Sequence, residues 1–118
     1  MEHMHELSIA ENIVELAVAS ARSAGAERVV SVKLNVGPLA GIDPGALLFS
    51  YDIAAQGTLL HGSRLDIVDV PLVVWCAHCL AEVEVASVQR LRCPTCGTPC
   101  GEIRRGRELD IESLEIEP

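Results

Sequence analysis

Two Cys-x-x-Cys pairs, Cys76/Cys79 and Cys93/Cys96, stand thirteen residues apart and constrain this chain more than any other feature. Two thiolates held two residues apart can grip one ion from a tight turn, and a second such turn folded against the first completes a tetrahedral all-sulfur shell. Zinc is the ion this donor set favours, and the spacer leaves room for a small hairpin. The competing reading is two independent buried or redox pairs. Four cysteines around one zinc leave no open position of the kind a hydrolytic zinc needs, so the module serves structure, regulation or docking. Cys100, the fifth cysteine, follows Cys96 by four residues. It either replaces one of the four ligands or stands as a spare thiol.

With 118 residues the chain has enough apolar content for one core, with little to spare once a metal module is set aside. No apolar run approaches the length of a membrane span, and Met1, Glu2 and His3 lack the character of a signal peptide, so a cytoplasmic location and reduced thiols are expected. The formal net charge of -8 argues against bulk nucleic-acid binding. Arginines nevertheless gather near the cysteines, at Arg90, Arg92, Arg104, Arg105 and Arg107. They form either a solvated arm or a docking face for an acidic partner.

The apolar periodicity organises the rest. Ser8 and Glu11 have capping-box spacing, Ile9, Ile13, Leu16 and Ala17 recur on one face, and Gly25 supplies a stop, so a first helix is expected there. From Val29 to Val36 the period changes to two, which predicts a half-buried strand ended by Gly37 and Pro38. Asp43 before Pro44 reads as the N-cap of a second helix, mostly enclosed, running to about Gln56. A second strand is expected over Arg64–Val74, with Pro71 marking an edge or bulge, and Trp75 is expected at the seam between core and metal module. Glu82–Val85 reads as one arm of a hairpin with Leu91 on the return, and Leu109–Ile116 as a final strand with a phase slip at Ser113. The expected architecture is α+β: two helices on a three-stranded sheet, with an inserted four-cysteine zinc-ribbon-like module. Residues 1–74 and 107–118 would form the main domain and residues 75–106 the zinc domain, the outgoing and returning strands being antiparallel neighbours.

The chain has no P-loop, its only lysine is Lys33, and no nucleophile elbow is present. Ser8 and His5 make a poor catalytic pair because capping already explains the serine. The remaining chemistry lies in His3, Met4, His5 and Glu6. Imidazole suits nickel, copper and zinc, and a nickel(II) ion in a nitrogen-rich shell prefers a square plane that adjacent main-chain nitrogens can complete. The bland alternative is a tail or added tag with incidental histidines. His61 and His78 read as solvated loop residues.

Met4-His5-Glu6-Leu7-Ser8, the Val36-Gly37-Pro38 turn leading to Gly41-Ile42-Asp43-Pro44, and the two Cys-x-x-Cys motifs in that order resemble the HypA/HybF family of hydrogenase nickel-incorporation proteins. The resemblance spans nearly the full chain. It implies a non-enzymatic metallochaperone with a nickel-binding α+β domain and a structural zinc domain, delivering Ni(II) to nickel–iron hydrogenase. The implied partners are a HypB-type GTPase, the hydrogenase large subunit and, for some members, urease maturation proteins. By matching positions it implies His5 as the main nickel ligand, Glu6 and Asp43 as assisting residues, and Cys76, Cys79, Cys93 and Cys96 as the Zn(II) ligands. One departure stands out: in the family the Met-His-Glu triplet is the true start, whereas Met1, Glu2 and His3 precede it here. Translation from Met4, added residues and a genuine extension in which His3 offers a further nickel site are the three explanations. Asp43 keeps a rival role as helix cap. The rival from another functional class is a zinc-ribbon interaction module that binds RNA, or an acidic protein partner, through its arginine cluster.

Overall fold

In the computed structural model, residues 2–118 are described, with side chains from His5 onward. The elements in chain order are α1 (Glu2–Ser23), β1 (Arg28–Val36), a short 3-10 turn (Pro38–Ala40), α2 (Pro44–Ala55), β2 (Arg64–Asp69), β3 (Leu72–Cys76), β4 (Ala81–Val85), β5 (Glu102–Arg105) and β6 (Leu109–Glu117). The chain divides into two compact units. One comprises residues up to Leu34, Ile42–Val68 and Asp110–Pro118, and the other Asn35–Gly41 and Asp69–Leu109.

The first unit is built from α1, α2 and a three-stranded sheet in the order β2-β1-β6. The apolar stripe Ala10, Ile13, Val14, Ala17 and Ala21 buries one face of α1, while Asn12, Glu15, Ala19 and Arg22 stay in solvent. α2 contributes Leu47, Tyr51 and Ala55 to the interior, and β1 contributes Val29, Val32 and Leu34. The Tyr51 hydroxyl lies 2.6 Å from Ser63 Oγ, which supplies the partner that a buried phenol requires. β6 runs antiparallel to β1: Glu27 N–H donates to Glu117 O, Ser31 Oγ to Glu115 Oε1, and Lys33 pairs with Glu112.

The second unit holds the cysteines on a smaller antiparallel sheet in the order β4-β3-β5. Val74 pairs with Val83 on one side and with Ile103 on the other, and the register shifts between Val73 and Val74 on the β5 side. Leu72, Val74, Cys76, Val85, Cys93 and Cys100 form its core. Trp75 carries the Arg104 guanidinium 4.8 Å above its ring, and Arg104 also pairs with Glu82 and Glu102. One arginine of the expected positive cluster is thereby neutralised inside the unit.

Asn35–Gly41 belongs to the cysteine unit for a specific reason. Gly37 N–H donates to Glu108 O at 2.8 Å and Leu39 N–H to Gly106 O at 2.8 Å, so the turn is clamped to the chain leaving β5. A Cβ on Gly37 would lie 2.1 Å from Gly106 O, which only glycine allows. The φ of Gly37, -90°, is ordinary, so packing and not conformation demands the glycine here.

Five expectations need correction. The strand expected over Arg64–Val74 is two strands in two different sheets, because Pro71 lacks an N–H for the ladder and Val70 N–H instead donates to Val36 O. β2 and β6 are not neighbours, since β1 lies between them. Ser8 sits inside α1 and not at its start, since the helix already runs through His5, Glu6 and Leu7. Finally, α2 is only half enclosed: Leu48, Phe49 and Ile53 are exposed, Phe49 by 69%, because the buried stripe is confined to the Leu47, Tyr51 and Ala55 side. The return arm expected at Leu91 is also displaced, as β4 pairs with β3 and the strand that comes back against β3 is β5.

Candidate metal centres

The Cys-x-x-Cys sequences fold as two matched turns. Cys76 closes β3 and the chain reverses so that Cys79 N–H donates to Cys76 Sγ at 3.4 Å. After Cys79 the chain passes through Leu80 with φ 53°, and after Cys96 it passes through Gly97 with φ 77°. The second turn sits on its own short hairpin, in which Arg92 bridges Pro99, Cys93 N–H donates to Thr98 O and Cys100 N–H to Leu91 O. Both turns need a left-handed residue directly after the second cysteine to aim both thiols the same way. The second turn uses glycine, and the first places a leucine there at a conformational cost.

These turns bring Cys76, Cys79, Cys93 and Cys96 together with all four Sγ atoms within 4.8 Å of one another. The cross-turn separations are 3.5 Å for Cys76–Cys96 and 3.9 Å for Cys79–Cys93. A tetrahedral zinc with Zn–S bonds of about 2.3 Å needs sulfurs about 3.8 Å apart, a value that these two cross-turn separations bracket. No disulfide is formed, and the two-redox-pair reading has no support in this geometry, because the short distances run between the motifs as well as within them. Cys76 and Cys93 are buried and Cys96 is exposed.

The thiols do not share one acidity. The Thr98 hydroxyl, 3.1 Å from Cys96 Sγ, and the Thr98 main chain hold Cys96 down to about 6. Hydrogen bonding to Cys96 and Cys76 pushes Cys79 up to about 12, since a second negative sulfur beside the first is unfavourable without a cation. The Cys96 main-chain N–H lowers Cys93. A divalent ion would collect all four as thiolates and remove that conflict, and zinc bound here would supply a cross-link between the two turns. Thr98 was not legible as a supporting residue in the sequence, where a threonine two residues after a cysteine is unremarkable. Cys100 lies behind this shell, buried, with its thiol donating to Thr98 O at 3.2 Å. Burial raises its pKa.

The N-terminal candidates lie in the first unit. Glu6 is only 2% exposed, one turn into α1, and its Oε2 accepts the Asp43 main-chain N–H at 3.3 Å. Its other oxygen, Oε1, is buried with no hydrogen-bond partner among the described residues. Asp43 is the N-cap of α2, with Oδ1 accepting from Gly45 N–H at 3.1 Å and Pro44 at the first helical position. The fold therefore joins Glu6 to Asp43 across 37 residues of sequence. His5 is exposed beside Glu6 in the chain. His3 lies outside the described side chains. Among the described residues no helix is long and apolar enough to cross a membrane.

The structure is similar to a solution structure of the nickel metallochaperone HypA from Helicobacter pylori, with TM-score 0.67 and 21% identity over 95% of this chain and 97% of that one. It is also similar to a second solution structure of a HypA protein, with TM-score 0.70 and 22% identity over 96% of each chain. At those identities the likeness speaks for the fold. In sequence, the chain is 51% identical over 112 residues to the hydrogenase maturation factor HypA of Chloroflexus aurantiacus, covering 95% of this chain and 98% of that one. It is 46% identical over 114 residues to the corresponding factor of Roseiflexus sp., covering 97% and 93%. A family profile for HypA, described as a hydrogenase/urease nickel incorporation metallochaperone, matches residues 4–116. The chain belongs to the HypA family of nickel-incorporation metallochaperones.

Proposed function

We propose that this protein carries Ni(II) at its N-terminal end, with His5 as principal ligand and Glu6 and Asp43 assisting, and releases it during maturation of nickel–iron hydrogenase. It is not an enzyme in this reading: nickel is cargo, and four thiols on zinc leave no open coordination position for a substrate. The division of labour follows the chain. The unit of residues up to Leu34, Ile42–Val68 and Asp110–Pro118 handles nickel, and the unit of Asn35–Gly41 and Asp69–Leu109 holds Zn(II) through Cys76, Cys79, Cys93 and Cys96, so the boundaries expected at 74/75 and 106/107 shift to these.

The observation that carries this reading is Glu6. A buried carboxylate with one oxygen that has no partner among the described residues is costly, and a cation or its ligands arriving at the N-terminal end would satisfy it. Asp43 serves as cap and as the anchor of Glu6 through its main chain, so its support of nickel is in part positional. An exposed histidine suits transfer, because an acceptor's ligands can approach before the donor lets go. The partners that fit are a HypB-type GTPase and the hydrogenase large subunit, with urease maturation proteins as further clients, in the cytoplasm. The RNA-binding alternative is not favoured: the family is a metallochaperone family, the net charge is -8, and Arg104 covers the only tryptophan, a ring that base stacking would otherwise use.

Nickel titration by calorimetry of the wild type and of His3→Ala, His5→Ala and Asp43→Asn tests the assignment. His5→Ala should abolish the tight site. Asp43→Asn, which still caps α2, should weaken nickel binding while leaving helix content unchanged. Unaltered nickel affinity in His5→Ala would sink the proposal, and unaltered affinity in His3→Ala would remove His3 from the site.

A further inference from the structure

We propose that the outer face of α2 is a docking site for an amphipathic helix of a partner protein, one that carries lysine or arginine beside its apolar stripe. α2 is apolar nearly all the way round but covered on one side only. Ala46, Leu47, Tyr51 and Ala55 face the interior, while Leu48, Phe49 and Ile53 stand in solvent at 42%, 69% and 45% exposure. A helix without a polar face is normally enclosed on every side, whereas a surface helix carries charge where it meets water. α1, which packs against α2, obeys that rule: its outer side presents Glu11, Asn12, Glu15 and Arg22, with Leu16 as the large apolar exception.

Phe49 and Ile53 stand one turn apart on the same side of the helix, with Leu48 beside them, the spacing by which one helix grips another. Charge on the same surface selects the occupant. From Ile42 to Leu60 the chain carries Asp43 and Asp52 and no lysine, arginine or histidine. Asp52 projects between Leu48 and Phe49, is exposed, and forms no ion pair among the described residues. A partner helix with basic residues at the rim of its apolar stripe therefore meets acid here, on a protein of net charge -8 that draws it in. A second copy of this chain fits worse. It would set acid against acid, and the 12 residues of α2 fall short of the about 800 Å² per partner that a lasting dimer buries. A contact of that size suits an encounter that must end.

Position adds to chemistry. Asp43, the N-cap of α2, holds Glu6 through its main-chain N–H, and Leu48 and Phe49 follow it by about 8–9 Å along the helix axis. A helix seated on this face stands one to two turns from the end proposed to carry nickel. The docking inference does not depend on that assignment, since Leu48, Phe49, Asp52 and Ile53 lie outside the nickel set.

Three labelled synthetic peptides are titrated with the full-length protein and followed by fluorescence anisotropy. One is a helical peptide with a leucine stripe flanked by lysines, the second has glutamate in place of each lysine, and the third is a shuffled lysine peptide whose leucines share no face. Only the first should bind, more weakly as salt rises, and it should shift the amide NMR signals of α2 in the wild-type protein. Phe49→Ser and Ile53→Ser should each weaken it at least about 10-fold, as loss of a central anchor does. Asp52→Lys should weaken it and flatten the salt dependence, whereas Leu16→Ser should bind as wild type does. Nickel affinity should be unchanged in Phe49→Ser, so a failure of docking and a failure of the nickel assignment are told apart. Circular dichroism checks that each variant keeps its helices, and the NMR mapping needs no variant at all. Equal binding of the glutamate or the shuffled peptide, shifts centred away from α2, or undiminished binding by Phe49→Ser would overturn the proposal. So would a dimer in analytical ultracentrifugation that Phe49→Ser dissociates, since the face would then belong to a second copy.

Discussion

The clamp between Gly37 and Gly106 gives the sharpest test of the packing argument. Replacing Gly37 by alanine adds one methyl group at a backbone conformation that alanine adopts freely, so no dihedral strain arises. The Cβ would nevertheless stand 2.1 Å from Gly106 O and 2.2 Å from its carbonyl carbon, both main-chain atoms that cannot rotate away. Relief requires the two segments to part. That breaks the Gly37-to-Glu108 and Leu39-to-Gly106 hydrogen bonds, each 2.8 Å. Two lost bonds at about 1 kcal/mol each, plus an overpacking cost of about 1–3 kcal/mol, give a destabilisation of about 3–5 kcal/mol. Gly41 provides the control. It has φ 69° and nothing within 4 Å of a built Cβ, so Gly41→Ala suffers only the left-handed penalty of about 1–2 kcal/mol. Urea unfolding followed by Trp75 fluorescence reads the cysteine unit alone, because that tryptophan is the only one in the chain and lies on β3. Free zinc must be held constant, since metal binding adds to apparent stability. If Gly37→Ala costs no more than Gly41→Ala, the clamp reasoning is wrong.

Two further outcomes follow from the cysteine turns. Leu80 is 75% exposed at φ 53°, so Leu80→Gly should relieve about 1–2 kcal/mol of strain and give back about 0.4–1 kcal/mol in chain entropy. A net stabilisation of up to about 1.6 kcal/mol is expected in the same urea assay, and a destabilised variant would contradict it. Zinc affinity should rise with pH, because the ion displaces protons from thiols. Cys79, pushed up to about 12, is protonated throughout the physiological range and its proton must always be expelled, whereas Cys96, held at about 6, carries one only in more acidic solution. The slope of log affinity against pH should therefore steepen by about one as pH falls through about 6, as measured by competition with a chromophoric chelator. A slope that flattens there would refute the assignment of the two thiols.

How far the sequence reached depended on whether a signal was local. The cysteine spacing and the Asp43-Pro44 cap are written in adjacent residues and appear in the structure as read, whereas the β1 strand forms but its alternation holds only from Val32 to Val36, since Val29 and Ser31 are buried and Val30 only partly so. The family resemblance supplied His5, Glu6 and Asp43 as a set, but no spacing argument could bring Glu6 to the Asp43 main chain across the intervening helix and strand. The continuous strand expected through Pro71 failed because alternation cannot report a change of sheet. Only the pairing partners, Val36 for Val70 and β4 and β5 for β3, reveal the break. Gly37 likewise read as an ordinary turn glycine, since its true reason, a main-chain oxygen from the far side of the metal module, is separated from it by almost seventy residues of chain. The exposed side of α2 was misjudged because Leu48, Phe49 and Ile53 have core chemistry wherever they stand.

The Asn35–Gly41 segment sets a limit on how this protein can be cut or rebuilt. Because the cysteine unit takes its turn from between β1 and α2 and the remainder from Asp69–Leu109, the polypeptide changes unit four times. No uninterrupted piece of the gene encodes that unit whole. A fragment begun at Asp69 would fold without the strap that Gly106 and Glu108 receive, and a chain shortened by excising Asp69–Leu109 would leave that strap with nothing to grip. Recombination between relatives should therefore tolerate exchange of the metal module only when the distant turn travels with it, so two segments far apart in sequence are inherited as one part.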